Sequence, residues 1–292
     1  MSRGRRRTMS QNTIQGNEVW KRLRKNKMAI LGLFITVGLI IVALLAPIIA
    51  PYDPYEVDLS RALKAPMEDG HILGTDQLGR DQFSRLLYGA RISLRVGIIT
   101  QAISLVIGII MGALAGYYGG RVDDVISYLI NIFFAFPSLL FAIAIMATLG
   151  PGLNNVFIAL GAVSWPGLAR IVRGQVLQLK EQEYIEAIRA LGGNDLRIIL
   201  KHIIPNCLAP VIVTATLGVA GAILSEAGLS FLGLGAQPPE PSWGLMLAMG
   251  RTYVTSKTWL TIYPGLAIMI TILGLNLLGD GLRDALDPRL KQ

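Results

Sequence analysis

Four groups of residues have types and spacings that suit chemistry. Ser256-Lys257-Thr258 resembles the tail of a phosphate-binding loop, in which backbone amides and a lysine hold nucleotide phosphates. Such a loop needs glycine immediately before the lysine and again five residues earlier. Those positions hold Ser256 and Arg251, so the match is a decoy. A second group comprises ionisable residues in or beside apolar runs, which can carry a coupling ion across a membrane. Arg95, Glu226, Asp280 and Arg283 qualify by type, but all fall near the ends of apolar runs, where side chains reach water. Glu226 and Asp280 are open to two readings, ion coupling or interfacial hydrogen bonding. Metal and disulfide chemistry is excluded by scarcity: Cys207 is the sole cysteine, and His71 and His202 are far apart. The fourth group is an acidic, amphipathic stretch from Glu181 to Pro205, EQEYIEAIRALGGNDLRIILKHIIP.

That stretch reads as two short helices broken at Gly192-Gly193. In the first, Tyr184, Ile188 and Leu191 share a face with Ile185 beside them, while Glu183, Glu186 and Arg189 point elsewhere. Gly192 is the expected stop, because glycine accepts positive φ without a Cβ penalty. Asn194 is the expected cap of the second helix, with Asp195 at its positive end. Leu196, Ile199, Leu200 and Ile203 form its expected apolar stripe, and Pro205 its expected end. A lipid-surface loop would carry mostly Lys and Arg on its polar face. Here Glu181, Glu183 and Glu186 come first, and Ala187, Ala190, Gly192 and Gly193 give low-profile surface. Small residues beside acidic ones favour docking into a protein groove.

The elements that must position this elbow are membrane spans. The chain has 292 residues, 52% hydrophobic and only 16% charged, too apolar for an ordinary soluble domain. The expected class is an all-α integral membrane protein with six spans: 28–50, then about Leu94–Ala115, Val125–Leu149, Val156–Val172, Leu208–Leu224 and Leu260–Leu278. Met28–Pro47 follows a basic leader, as in a signal peptide. The run is too long for one and lacks a small-residue cleavage site, so it reads as a retained span. With the N-terminus inside, inner segments hold 19 Lys and Arg and outer segments 8. This asymmetry places both termini and the elbow in the cytoplasm. The formal charge of +8 is concentrated in the leader, so it gives no case for nucleic-acid binding.

The expected organisation is a basic cytoplasmic segment (1–27), a first span, an extracytoplasmic loop (51–91), a five-span domain (92–284) containing the elbow (181–205), and a tail (285–292). Val19, Trp20 and Leu23 suggest a brief amphipathic turn in the basic segment. Within the outer loop, Asp76 to Gly89 is expected as a short surface helix with Phe83, Leu86 and Leu87 docked on its neighbours. Gly228 to Trp259, rich in Gly, Pro and Trp, is expected to be structured and to dip into the membrane mouth. Gly108, Gly112 and Gly116 form a small-residue face for close helix packing. Pro137 and Pro166 interrupt spans three and four, as hinges or as static kinks.

Glu186-Ala187, Gly192 and Pro205 also stand at the spacing of the EAA loop of bacterial ABC-importer permeases. The sequence departs from that pattern at Ile188, His202 and Ile204, two of which keep the apolar character. Four further stretches narrow the resemblance: Trp20-Lys21-Arg22 through Asn26-Lys27, LGTDQLGRDQFSRLLYGARISLRVG from Leu73, SEAGLSFLGLG from Ser225 and GDGLRDALDPRLK from Gly279. From about Trp20 to Lys291 the chain resembles the C-type permease of dipeptide, oligopeptide and nickel importers. The resemblance implies a type I importer permease in the bacterial cytoplasmic membrane. It implies a heterodimer with a related permease, two cytoplasmic ATPases that bind ATP and Mg, and an extracytoplasmic substrate-binding protein, with no cofactor or catalytic site in this chain. It also implies that a coupling helix sits in a cleft of one ATPase, through Glu183, Glu186, Ala187, Arg189, Ala190, Leu191, Gly192 and Pro205. Peptides are the expected cargo, with nickel or another small solute the alternative. An ion-coupled transporter is the rival architecture, and the span interiors hold no residue specific for one solute.

Overall fold

The computed structural model describes residues 18–286; the arginines at 3, 5, 6 and 7, and most of the 285–292 tail, lie outside them. The described residues are helical, with isolated β-bridges but no strand. After a short helix at 18–25, ten α-helices follow in order among the described residues: α1 (Lys27–Ile49), α2 (Gln82–Tyr118), α3 (Gly120–Ala135), α4 (Ser138–Leu149), α5 (Leu153–Lys180), α6 (Glu183–Ala190), α7 (Asp195–Ile198), α8 (Ile204–Phe231), α9 (Trp243–Gly250) and α10 (Trp259–Leu286). Five stretches are long and apolar enough to cross a membrane: α1, α2, α5, the run from Asp195 to Phe231, and α10. The sixth crossing is the pair α3 and α4, bent by 91° at Phe136-Pro137. Pro137 therefore does far more than kink span three. Pro166, by contrast, is accommodated inside continuous α5.

Glycine sets the closest approach in the bundle. α2 and α5 run side by side, with Gly108 on Leu168, Gly112 on Ala169 and Val172, and Gly116 on Val176. A Cβ at Gly112 would lie 2.5 Å from the Ala169 carbonyl oxygen, so the face is a packing surface, as its spacing suggests. α1 crosses α10 at Gly32 and Gly274. Asn26 caps α1 by accepting from the Met28 and Ala29 amides, and Leu23 packs with Ala29 and Ala285. This contact brings the start and end of the described chain to one end of the bundle.

The expected surface helix at Asp76–Gly89 does not form. Asp81 caps a helix that starts at Gln82 and continues without a break through span two to Tyr118. Residues 51–81 fold back over its start as a compact cap. The Gly228–Trp259 segment is structured as expected: Ser242 caps α9, and Trp243 is buried on the α2 backbone, its Nε1 donating to the Leu86 carbonyl at 2.9 Å. Gly89 permits this contact, since a Cβ there would lie 2.4 Å from the indole.

Candidate functional site

The elbow lies at the end of the bundle shared by the ends of α2 and α5. α6 ends in a glycine turn: the Gly192 amide donates to the Arg189 carbonyl and the Gly193 amide to the Ile188 carbonyl, both at 3.0 Å. Gly192 has φ of +81°, which completes the left-handed helix stop. Nothing lies within 4 Å of a Cβ placed there, so the demand for glycine comes from the backbone and not from crowding. Asn194 then caps α7 by accepting from the Arg197 amide at 2.8 Å. Both local expectations hold.

The expected faces of the elbow are corrected. Ile185 is fully buried and Ile188 partly so, whereas Tyr184 is exposed and Leu191 is 89% exposed. In the second half Ile198, Ile199 and Ile203 are buried, while Leu196 and Leu200 are exposed. Ile199 and Ile203 lie on the buried face as expected, but Leu196 and Ile198 show that this face is already set before the π-turn over Ile199–Ile203; the wider turn then keeps Ile203 on it. The same turn accounts for Pro205. That residue does not end a helix; it sits in the first turn of α8, and the helical run from Asp195 continues through it to Phe231. Proline removes one amide and crowds the carbonyl four residues back. The π-turn shifts the bonding register just before it, and the Asn206 side-chain amide donates to the His202 carbonyl at 2.6 Å.

The buried elbow residues join Tyr117, Val172, Val176, Cys207 and Val211 in one cluster, so the elbow is fixed to three spans. A polar latch supplements it. Tyr117 donates its hydroxyl to Asp195 Oδ1 at 2.6 Å, and Arg189 Nη2 donates to the same hydroxyl at 3.4 Å with its guanidinium over the ring. That hydrogen bond holds the Arg189 pKa above its ordinary value. Arg189 thus touches the bundle through Tyr117 while remaining exposed. Glu183, Glu186, Ala187, Ala190, Leu191, Gly192 and Pro205 are exposed. Nearby, Asp123 and Arg173 tie α3 to α5 through two contacts, one of 2.6 Å. The result is a rigid platform with small, acidic and apolar groups facing outward.

A second polar constellation lies at the opposite end, and sequence reasoning missed it. Asp76, Arg80, Asp81, Arg85 and His71 are all buried. Asp76 Oδ2 accepts from Arg80 Nε at 2.7 Å and lies 3.5 Å from Arg85 Nε. Arg85 also donates to the Pro54 carbonyl at 2.8 Å. His71 Nδ1 donates to Asp81 at 2.8 Å. The opposite charges at 76/80 and 81/85 were the available signal, but the same spacing describes a solvated helix face. Glu226 is likewise corrected: it is fully buried, accepting from Ser230 at 2.6 Å, and so is an internal tie and not an interfacial group. Asp280 is exposed. Among the described residues no cluster of His, Cys, Asp or Glu can hold a metal ion.

Residues 105–292 match the family model described as binding-protein-dependent transport system inner membrane component. Residues 15–66 match that of the N-terminal TM domain of oligopeptide transport permease C. The chain is 48% identical over 274 residues to the dipeptide transport system permease protein DppC of Alkalihalophilus pseudofirmus, covering 94% of this chain and 90% of that protein. It is 45% identical over 278 residues to the oligopeptide transport system permease protein OppC of Bacillus subtilis, covering 94% and 91%. It is also 45% identical to the glutathione transport system permease protein GsiD of Pectobacterium atrosepticum, covering 94% and 91%. Among solved structures, a chain of the inward-facing MetNI methionine ABC transporter matches with a TM-score of 0.55 at 21% identity, over 70% of this chain and 97% of that one, a likeness of fold. The chain is a multi-pass membrane protein of the bacterial inner membrane, and it belongs to the family of binding-protein-dependent transport system inner membrane components.

Proposed function

We propose that this chain forms half of the path by which peptides cross the cytoplasmic membrane, driven by ATP that partner subunits bind with Mg and hydrolyse. The observation that carries this reading is the elbow, a rigid platform whose outward face combines Glu183 and Glu186 with Ala187, Ala190 and exposed Leu191. Such a face suits a groove on a cytoplasmic ATPase, one of two. Displacement of the platform would move α5 and α8 together, since both ends of the elbow continue into those helices. In energetic terms ATP must favour one arrangement of the spans through differential contacts, and a rigid elbow transmits that bias. Two further partners complete the path: a related permease and an extracytoplasmic binding protein.

Peptide cargo is supported by relatives whose names specify dipeptide, oligopeptide and glutathione transport. A cavity of about 670 Å³ between α5, α8 and α10 offers Gln175, Gln178, Asn206 and Thr214 on its walls. Uncharged amides and hydroxyls pair with peptide bonds, and Arg283 adds one cation to the same wall. The test uses Glu186→Lys and Gly192→Leu in the assembled importer. Both variants should reach the membrane and yet lose coupling, with ATP hydrolysis no longer tied to dipeptide uptake. Normal uptake in both would defeat the proposal.

A further inference from the structure

At the end of the bundle opposite the elbow, α1 and α2 pack through Ala43, Ala90 and Leu94 and line a groove of about 570 Å³. Its lower wall is apolar, with Ile40 and Leu44 from α1 facing Ile98 from α2, all exposed. Its upper wall carries Tyr88, Arg91 and Arg95 on one stripe of α2. Arg91 lies over the Tyr88 ring and Arg95 over the Phe157 ring, each 5.8 Å from the ring centroid. Neither arginine belongs to an ion pair among the described residues. Glu240 is the only carboxylate on the groove wall, so two cations outnumber one anion.

Depth gives this arrangement its meaning. At ~1.5 Å per residue, Leu44 and Ile40 lie roughly 8 and 14 Å below the end of α1 at Ile49. The arginines share a groove with these residues, so they stand beside the apolar part of the span and not above it. Guanidinium groups at that level are costly unless an anion meets them there. A soluble partner would have to push a carboxylate down between two spans to do so. A phospholipid brings its phosphate to this level and its acyl chains to the level below.

We propose that the groove binds one anionic phospholipid, its phosphate held by Arg91 and Arg95 and an acyl chain lying along Ile40, Leu44 and Ile98. Guanidinium forks pair bidentately with phosphate oxygens, and basic pockets between spans favour anionic headgroups. The assignment to the outer leaflet rests on the orientation given above; the site itself does not. Binding there would brace α1 against α2 beneath the cap formed by residues 51–81.

The test is native mass spectrometry of the assembled importer titrated with phosphatidylglycerol or phosphatidylcholine. One phosphatidylglycerol should bind selectively. Arg91→Gln/Arg95→Gln should weaken it about 25-fold and each single variant about fivefold, whereas Arg91→Lys/Arg95→Lys keeps most of the preference. Equal binding of the two lipids, or equal phosphatidylglycerol binding by wild type and the double Gln variant, would overturn the proposal. A benzoylphenylalanine at Leu44 in an otherwise wild-type chain gives a second reading that needs no loss of charge. Capture of phosphatidylglycerol supports the site, and capture of a protein subunit overturns it. Neither measurement depends on ATP coupling, so a failed coupling proposal would leave this result standing.

Discussion

The two ends of the molecule treat charge in opposite ways. In the elbow, Glu183 and Glu186 remain outside, the apolar side chains divide between a buried set and an exposed set, and the exposed Arg189 and Asp195 reach the bundle only through the Tyr117 hydroxyl. In the cap, Arg80, Arg85, Asp76, Asp81 and His71 are all withdrawn from solvent; Arg85 at the start of α2 ties Pro54 to Pro239, and Arg80 reaches Met249 of α9. Both segments interrupt the apolar chain with polar residues, so polarity alone does not separate a docking surface from a self-contained cap. What separates them is whether the polar groups find partners within the chain. The cap pairs its buried charges with one another and with backbone carbonyls, although Arg85 Nη2 and His71 Nε2 are left without a hydrogen-bond partner. The elbow satisfies its backbone and leaves side chains without internal partners, as expected of a surface made for another protein.

Substitutions can break that contrast, and the largest effect is expected in the cap. Asp76 is the carboxylate nearest to both buried arginines. Asp76→Ala should destabilise the fold by about 3–5 kcal/mol, since buried charges lose their counterion. Membrane level and thermal unfolding in detergent would report it; a stable variant would show that the arginines are compensated elsewhere. Ile185→Ala comes next. It empties a fully buried site beneath the elbow and should cost about 2–4 kcal/mol, read as a lower unfolding temperature. If the elbow were only a loosely held loop, the cost would be near zero.

Legibility in the sequence followed the range of the interactions. Gly192, Asn194 and the glycine stripe on α2 were readable because each acts through its own turn or its own helix face. The spans were readable from continuous apolar runs, although α8 and α10 extend beyond the expected limits. Faces in the elbow differ from expectation at Tyr184, Leu191 and Leu196, because amphipathic spacing alone does not say that packing on the bundle buries Ile185 and Ile198 instead. Pro137 marked the site of a break but not its 91° angle, which depends on how α4 packs on α5. The cap was opaque for a stronger reason. Arg85 is buried by Pro54 and Pro239, far away in sequence, and no local pattern announces such a partner.

Smaller effects sharpen the comparison at the elbow. Tyr117→Phe removes a hydroxyl that binds both Asp195 and Arg189, at a cost of about 1 kcal/mol because the latch is partly open to solvent. The expected change is a small drop in unfolding temperature with uptake reduced but ATP hydrolysis retained. An unchanged unfolding temperature would show that the apolar cluster holds the elbow unaided.

Leu191→Ser should have the least effect on the fold and is the most informative. Leu191 is 89% exposed, beyond the end of α6, so its removal takes almost nothing from the interior and should change stability by less than about 0.5 kcal/mol. A leucine that contributes nothing to its own fold can still matter if another protein covers it. If the elbow docks on an ATPase, co-purification of that subunit and peptide uptake should both fall while the permease remains folded and in the membrane. If the exposed apolar groups of the elbow instead rest against lipid, subunit assembly should be unaffected and membrane association of the segment should weaken. The two outcomes separate in one assay, recovery of the ATPase with the permease. A folded, inserted variant that still recruits its ATPase fully would remove the elbow from the docking class and leave it, like the cap, serving only its own chain.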